Sequence, residues 1–410
     1  MSLDVKLAQA VQDGVIPGAV LLAASSSGHV NYANVVGRRS LRVGVEDPLR
    51  LDTVFTLASM TKLLTTLCVL QLFERGALGL DADVSQHVPV LARQPILTGF
   101  SQDDGSPLLE ERRCPITMRH LLTHSSGAGY HFMDTRLKRY VEYTRRGNPA
   151  AIVDDLFDLP LLHQPGAGWT YGSGITWAGK VVEKLTGQSL GAYMDSNIFK
   201  PLGITRIAFF LRDGPCFPAT HVSDMAIRDA ATGALAPGPP GLPFLPPLEE
   251  CFGGEGAYGS LTDYFKVLRS LLLDDEKLLR KETTRLMFEP QLPTQAARDG
   301  LRAAFEDPSW AVGDFSGPRE LDSAYGGLLV VGDAHPFRMR GHLSWSGAAN
   351  LYWFIDRGAG VCGLWGTQVL PPADTAVEQL IGAFEKHVYN MATEEDDAEG
   401  RSKSLADGTR

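Results

Sequence analysis

Residues 59–76 read SMTKLLTTLCVLQLFERG, opening on Ser59-Met60-Thr61-Lys62. Leu63, Leu67 and Leu70, and beside them Leu64, Cys68 and Gln71, recur at three- and four-residue spacing, and Gly76 closes the run, which predicts a helix. It is too apolar around its circumference for a surface helix and belongs in a core. Ser59 and Lys62, three apart, share a face. Ser-x-x-Lys is common, and its ordinary reading is a serine at a helix start and a solvated lysine. The surroundings argue otherwise, because an unpaired ammonium before LLTTLCVLQL would be costly. A lysine held there can act as a base toward Ser59, and the helix N-terminus favours negative charge developing on the serine oxygen.

Upstream, Gly18–Ala24 (GAVLLAA) and Val30–Gly37 (VNYANVVG) are apolar, β-branched runs split by Ser-Ser-Ser-Gly-His, a hairpin pattern. Strand patterns return late, in GGLLVVGD from Gly326, NLYWFID from Asn350 and GVCGLWGTQV from Gly360, before a helical run from about Pro372 to Asn390. Between them lie helical patterns: ITMRHLLTH, the stretch from Trp177 to Leu185, SLGAYMDSNIF and LTDYFKVLRSLLLDD. Strands at both ends with helices between predict an α/β (α+β) fold, one sheet built from the two chain ends with a mainly helical insertion. The expected division is 1–82 plus 300–392 for the sheet, 83–299 for the helices, and a charged, disordered tail over 393–410. Pro237–Pro247 (PGPPGLPFLPP) reads as a surface loop or rim.

The 410 residues are 44% apolar, enough for a large core. With 38 basic and 48 acidic side chains the net charge is -10, which argues against nucleic acid or an anionic membrane as partner. No uncharged run reaches the roughly 18 to 20 apolar residues of a membrane span. The first residues lack the basic-then-apolar pattern of a secretion signal. Cys68, Cys114, Cys216, Cys251 and Cys362 form no C-x-x-C pair and have no zinc-site spacing. A cytoplasmic protein without metal or cofactor is the expectation.

Two further elements can do chemistry. Tyr171, in Trp169-Thr170-Tyr171-Gly172-Ser173 after Pro165-Gly166-Ala167-Gly168, stands in a glycine-flanked loop that can present a phenol to a cleft. Trp345-Ser346-Gly347-Ala348 opens the NLYWFID strand, and a strand edge there can give the Ala348 N–H to an oxyanion beside the amide of Ser59. Either alone is an ordinary aromatic or an ordinary turn.

In this order and spacing, the three elements resemble the class C β-lactamase and penicillin-binding-protein superfamily. Within it, the likeness is to the family VIII esterases and the fungal lovastatin-pathway acyltransferase (transesterase). The resemblance spans about residues 5 to 390 and includes Arg119-His120-Leu121-Leu122-Thr123-His124-Ser125-Ser126-Gly127, Pro201-Leu202-Gly203-Ile204-Thr205 and Cys251-Phe252-Gly253-Gly254-Glu255-Gly256. It implies a serine β-lactamase-like fold, with an antiparallel sheet flanked by helices. Ser59 is then the nucleophile, Lys62 and Tyr171 the proton-transfer pair, and Trp345–Ala348 the counterpart of the Lys-Thr-Gly strand. Ser173, Trp345, Ser346, Gly347 and Gly254 become substrate-binding candidates. Ser173 stands where a β-lactamase has Asn, and Trp345 where it has Lys. Those groups bind the amide and carboxylate of a β-lactam, so an ester or thioester with an apolar part is the expected substrate. The acceptor is a small-molecule alcohol or water, and an acyl-carrier protein is a further candidate donor.

Other patterns fail on context. Gly254–Gly259 (GEGAYG) satisfies G-x-G-x-x-G but follows FLPPLEECFG, not a strand. No G-x-S-x-G elbow occurs. His120, His124 and His131 lack H-E-x-x-H spacing, and His124 reads as a satisfied structural histidine.

Overall fold

The computed structural model describes residues 1–144, 151–211, 221–239, 241–315, 317 and 319–407, with side chains to 394. Cys216, Pro240 of the proline-rich stretch, and the last three residues of the expected tail lie outside them.

Seven strands form the main sheet: β1 Gly18–Ser25, β2 Asn31–Gly37, β3 Leu321–Ala324, β4 Gly327–Val330, β5 Leu343–Gly347, β6 Leu351–Asp356 and β7 Val361–Gly366. Their spatial order is β3-β4-β5-β6-β7-β1-β2, every pair antiparallel. The N-terminal hairpin thus completes the sheet begun by the C-terminal strands, with Val20 opposite Gly366 and Ser25 opposite Val361. Every residue of β1 is buried, and this is why GAVLLAA carries no polar alternation. A strand covered on both faces needs apolar side chains at every position. Ala19, Leu21 and Ala23 join one cluster with Leu3, Leu7, Val377 and Phe384 of the first and last helices, while Val20, Leu22 and Ala24 join the other. That is the period-2 alternation of a strand between two cores.

The helix Thr61–Glu74 lies inside the larger cluster with twelve of its residues buried, as its all-round apolarity requires. Thr65 Oγ1 donates to Gly253 O at 2.7 Å and Gln71 Nε2 donates to Asn197 O and Leu278 O, both at 3.0 Å, while Thr66 Oγ1 and Gln71 Oε1 have no hydrogen-bond partner among the described residues. The stretch expected to be helical also carries short strands. Tyr258–Ser260 pairs with Val54–Thr56, Ala226–Arg228 pairs with Val369–Leu370, and Ile96–Phe100 with Pro107–Glu110 forms a hairpin. Helix Leu261–Leu273 packs on β1, β6 and β7.

Two local expectations are corrected. Trp345–Gly347 ends β5 instead of opening β6, because Trp345 pairs with Trp353 and Gly347 with Leu351 across a turn. Asn350 closes that turn at φ 59°, a left-handed conformation that Asn tolerates well. The last helix, Thr375–Asp407, carries helical backbone into the segment expected to be disordered, since extending a helix avoids the cost of nucleating one. Among the described residues no helix is long and apolar enough to cross a membrane, and Cys68, Cys114, Cys251 and Cys362 stand in no disulfide.

A buried ion pair fastens this last helix. Arg338 Nε and Nη2 donate to the two oxygens of Glu385 at 2.8 and 2.7 Å. Tyr389 of the same helix donates to Asp356 Oδ2 of β6 at 2.6 Å. Removing one partner of a buried pair strands the other, so Arg338→Met should lower unfolding free energy by about 3–5 kcal/mol in urea denaturation, and adding Glu385→Leu should recover most of it.

Candidate active site

Ser59 sits in a single 3-10 turn, Ala58–Met60, ahead of the helix, where the sequence alone suggests a plain helix start. Ala58 is left-handed at φ 47°, a conformation costing an L-residue roughly 1–2 kcal/mol. Surrounding bonds hold the turn in it. Thr61 Oγ1 donates to Ala58 O at 2.7 Å and accepts from Ala257 N at 3.1 Å. Leu57 N donates to Ala257 O at 2.9 Å, and Tyr264 OH to Met60 O at 2.9 Å.

Lys62, one helical turn on, is 1% exposed. Its three ammonium protons have three acceptors: Ser59 Oγ at 3.1 Å, Gly254 O at 2.8 Å and Tyr130 OH at 3.2 Å. A lysine ammonium is a three-fold donor with no accepting capacity, so the set is complete. Nζ also lies 4.8 Å from the Tyr171 ring centroid. A Cβ on Gly254 would stand 2.4 Å from Thr176 Oγ1, and this explains the glycine whose carbonyl faces Lys62.

Tyr171 OH donates to Ser59 Oγ at 2.6 Å. Backbone bonds fix its loop: Thr170 N donates to His124 O at 2.8 Å and Ser173 N to Ala128 O at 3.0 Å. Gly172 lets the two loops touch, since a Cβ there would fall 2.0 Å from Ala128 O. The His124 ring packs on Tyr171, with centroids 4.9 Å apart, and near Trp345. Burial, and secondarily the Lys62 charge, hold its imidazole well below the usual range. Its Nδ1 has no hydrogen-bond partner among the described residues, so the expectation of a satisfied histidine is corrected.

Ser59 and Tyr171 open on a cavity of about 360 Å³ walled by Trp345, Trp310, Phe132, Phe244 and Leu245, with Ser346 and Ala348 also at its edge. The proline-rich stretch therefore contributes wall residues, Phe244 and Leu245. Trp310 stacks on Tyr171 at 5.5 Å and Trp345 tilts against it at 5.2 Å. Gly347 does not line the cavity; a Cβ there would meet Leu57 O at 2.5 Å, so it brings the end of β5 against the nucleophile turn. Ser173 is 2% exposed and stands at the N-cap of helix Gly174–Thr186, away from the cavity lining. No metal-holding cluster occurs among the described residues. His120 accepts from Thr117 N in a helix capping box.

Sequence reasoning missed Tyr130, Glu255 and Thr176. Tyr130 OH and Thr176 Oγ1 each donate to Glu255 Oε2 at 3.0 Å, and burial pushes the Glu255 carboxyl up. The signals were present: Tyr130 follows the His124–Gly127 motif by three residues, and Glu255 lies inside a motif read for its glycines.

An aromatic-walled cleft with serine, lysine and tyrosine in mutual contact defines a serine acyl-transfer class. The beta-lactamase family model matches residues 3–385. The lovastatin esterase of Penicillium rubens is 38% identical over 94% of this chain and 98% of its own length. The monacolin J acid methylbutanoyltransferase of Aspergillus terreus is 36% identical over 94% and 95%. Unliganded simvastatin synthase from Aspergillus terreus superposes with a TM-score of 0.84 at 35% identity, covering 94% of this chain and 97% of that one. The chain belongs to the beta-lactamase family, and within it to the acyltransferases and esterases.

Gly254→Ala tests the packing around Lys62. The methyl would push on Thr176, Tyr130 and Lys62, and displacement of that order costs roughly a hundredfold in rate. Ester turnover should fall by about that factor while the circular dichroism spectrum is retained.

Proposed function

We propose that the protein moves an acyl group from a small-molecule ester or thioester to an alcohol or water through an acyl-enzyme on Ser59. The observation that carries this reading is Ser59 Oγ held between Lys62 Nζ at 3.1 Å and Tyr171 OH at 2.6 Å. Lys62 in its neutral form takes the serine proton as Oγ attacks the acyl carbon. The amides of Ser59 and Ala348 receive the oxyanion, supported by the close approach of the β5 end to the nucleophile turn. Tyr171 gives its proton to the departing alkoxide or thiolate, then takes one from the incoming alcohol or water as that oxygen attacks the ester. As the ester breaks, the Lys62 ammonium returns its proton to Ser59 Oγ, so that Lys62 and Tyr171 serve both halves of the exchange.

Trp345 and Trp310 favour an apolar acyl group or acceptor. The names of the relatives, an esterase and methylbutanoyltransferases, support a short branched acyl chain and a bulky alcohol; an acyl-carrier protein as donor fits the same chemistry. A cytoplasmic location is part of the proposal, supported by the four cysteines that form no disulfide. With Trp345 and Ser173 in place of groups that hold a β-lactam, nitrocefin should be turned over slowly or not at all.

Intact-protein mass spectrometry with a fluorophosphonate or a p-nitrophenyl ester should add one acyl or phosphonyl group to the wild type and none to Ser59→Ala. Labelling that survives this substitution would sink the reading. Lys62→Ala and Tyr171→Phe should each lose about 100-fold or more in turnover while remaining folded. Trp310→Ala should raise KM for apolar esters more than it lowers kcat, because it removes a wall of the cavity and no proton-transfer group.

A further inference from the structure

Glu255 has no place in the steps above, yet it is a carboxylate 5% exposed beside the nucleophile. Its Oε2 accepts from Tyr130 OH and Thr176 Oγ1, both at 3.0 Å, and Oε1 has no hydrogen-bond partner among the described residues. Tyr130 OH also accepts from Lys62 Nζ at 3.2 Å. One phenol therefore stands between a buried ammonium and a buried carboxylate, with its proton directed at the carboxylate. The other titratable groups facing this cluster are Tyr171, whose ring lies 5.6 Å from that of Tyr130, and His124 behind it. Burial and Lys62 keep His124 uncharged, so it supplies no competing cation.

We propose that Glu255 is a positioning residue that holds the proton of Lys62, receiving it through Tyr130 and so leaving Lys62 as the free base that Ser59 needs. An N–H bond of Lys62 breaks as an O–H bond forms on Tyr130, while the original Tyr130 O–H breaks and an O–H forms on Glu255 Oε2. Ammonium and carboxylate become amine and carboxylic acid, with no change in total charge and no proton released to water. With both groups buried, the neutral pair avoids the desolvation cost of two ions. The freed amine turns about its Cε–Nζ bond to bring its lone pair to Ser59 Oγ, 3.1 Å away, and takes the serine proton on attack. Once Tyr171 has protonated the leaving group it stays a phenolate beside the Lys62 ammonium while Glu255 keeps its proton; after Tyr171 takes the acceptor's proton, Ser59 Oγ recovers one from Lys62, and Glu255 returns the relayed proton through Tyr130. The unpartnered Oε1 fits a carboxyl that alternates between charge states, since burial already pushes this group up.

This inference rests on the Ser59 acyl-enzyme reading, and stopped-flow bursts of p-nitrophenolate from a p-nitrophenyl butyrate ester separate the two. In the wild type the proton stays within the pair, so the acylation rate should be flat across about pH 6 to 8. In Glu255→Gln, Lys62 must release its proton to solvent. The rate should fall roughly 10- to 100-fold at neutral pH and climb with pH, with KM little changed. Tyr130→Phe should give the same slope, the double variant should be no worse than the slower single one, and Glu255→Asp should restore the flat profile at a reduced rate. Difference infrared spectra on acylation should gain a protonated-carboxyl band that Glu255→Gln lacks. A wild-type burst accompanied by an unchanged rate and a flat profile in Glu255→Gln overturns the inference and leaves the Ser59 reading intact. Release of p-nitrophenolate that persists at the wild-type rate in Ser59→Ala overturns both. If Glu255→Gln fails to fold, Tyr130→Phe carries the same pH test, and a flat profile there is equally fatal.

Discussion

The site depends on a lysine amine carried into an apolar core. Lys62 is the second residue of a helix whose other side chains are almost all buried, and an ammonium there without partners would cost several kcal/mol. Its three protons meet acceptors from three separate regions of the chain: the turn at Ser59, the carbonyl of Gly254 and the phenol of Tyr130. Satisfying one buried cation therefore assembles the nucleophile, the 251–257 turn and the loop after His124 around a single point. Residues far apart in sequence become neighbours because the amine has nowhere else to donate.

Glycines make this assembly sterically possible. Gly254, Gly172 and Gly347 each stand where a Cβ would fall within 2.0 to 2.5 Å of an atom of a neighbouring segment. They bring the Lys62 acceptor, the Tyr171 loop and the end of β5 to the serine at backbone-contact distance. Thr61, Thr65 and Tyr264 tie the same segments from below with hydrogen bonds to carbonyls. A site held in this way needs little reorganisation when charge develops on the substrate oxygen.

The aromatic walls act with the polar floor. Trp310 and Trp345 pack on Tyr171, and His124 fills the space behind it without adding charge. On the proposed reading, an apolar acyl chain or alcohol bound there would displace water from beside Ser59 and strengthen each polar contact below it. A cationic residue at the position of Trp345 would instead suit a carboxylated ligand. On the proposed reading, the side chain at position 345 of β5 is a main determinant of substrate class.

Much of this could be read from the chain alone. Apolar spacing after Ser59 gave a buried helix, the i,i+3 placement put Ser59 and Lys62 on one face, and the strand patterns at both ends, completed by resemblance, gave the antiparallel sheet. Those features are local or depend on periodicity, which a linear sequence carries directly. Ser173 and Gly347 illustrate the limit, since adjacency in a motif says nothing about which side of a loop meets the cavity. Tyr130 and Glu255 show it more sharply. Each is an ordinary residue in its own segment, and their connection to Lys62 exists only where three loops converge. Sequence determined the elements and the nucleophile's immediate neighbour; tertiary structure alone decided the acceptors of the buried amine, because a hydrogen bond between distant segments follows from packing and leaves no periodic trace in the chain.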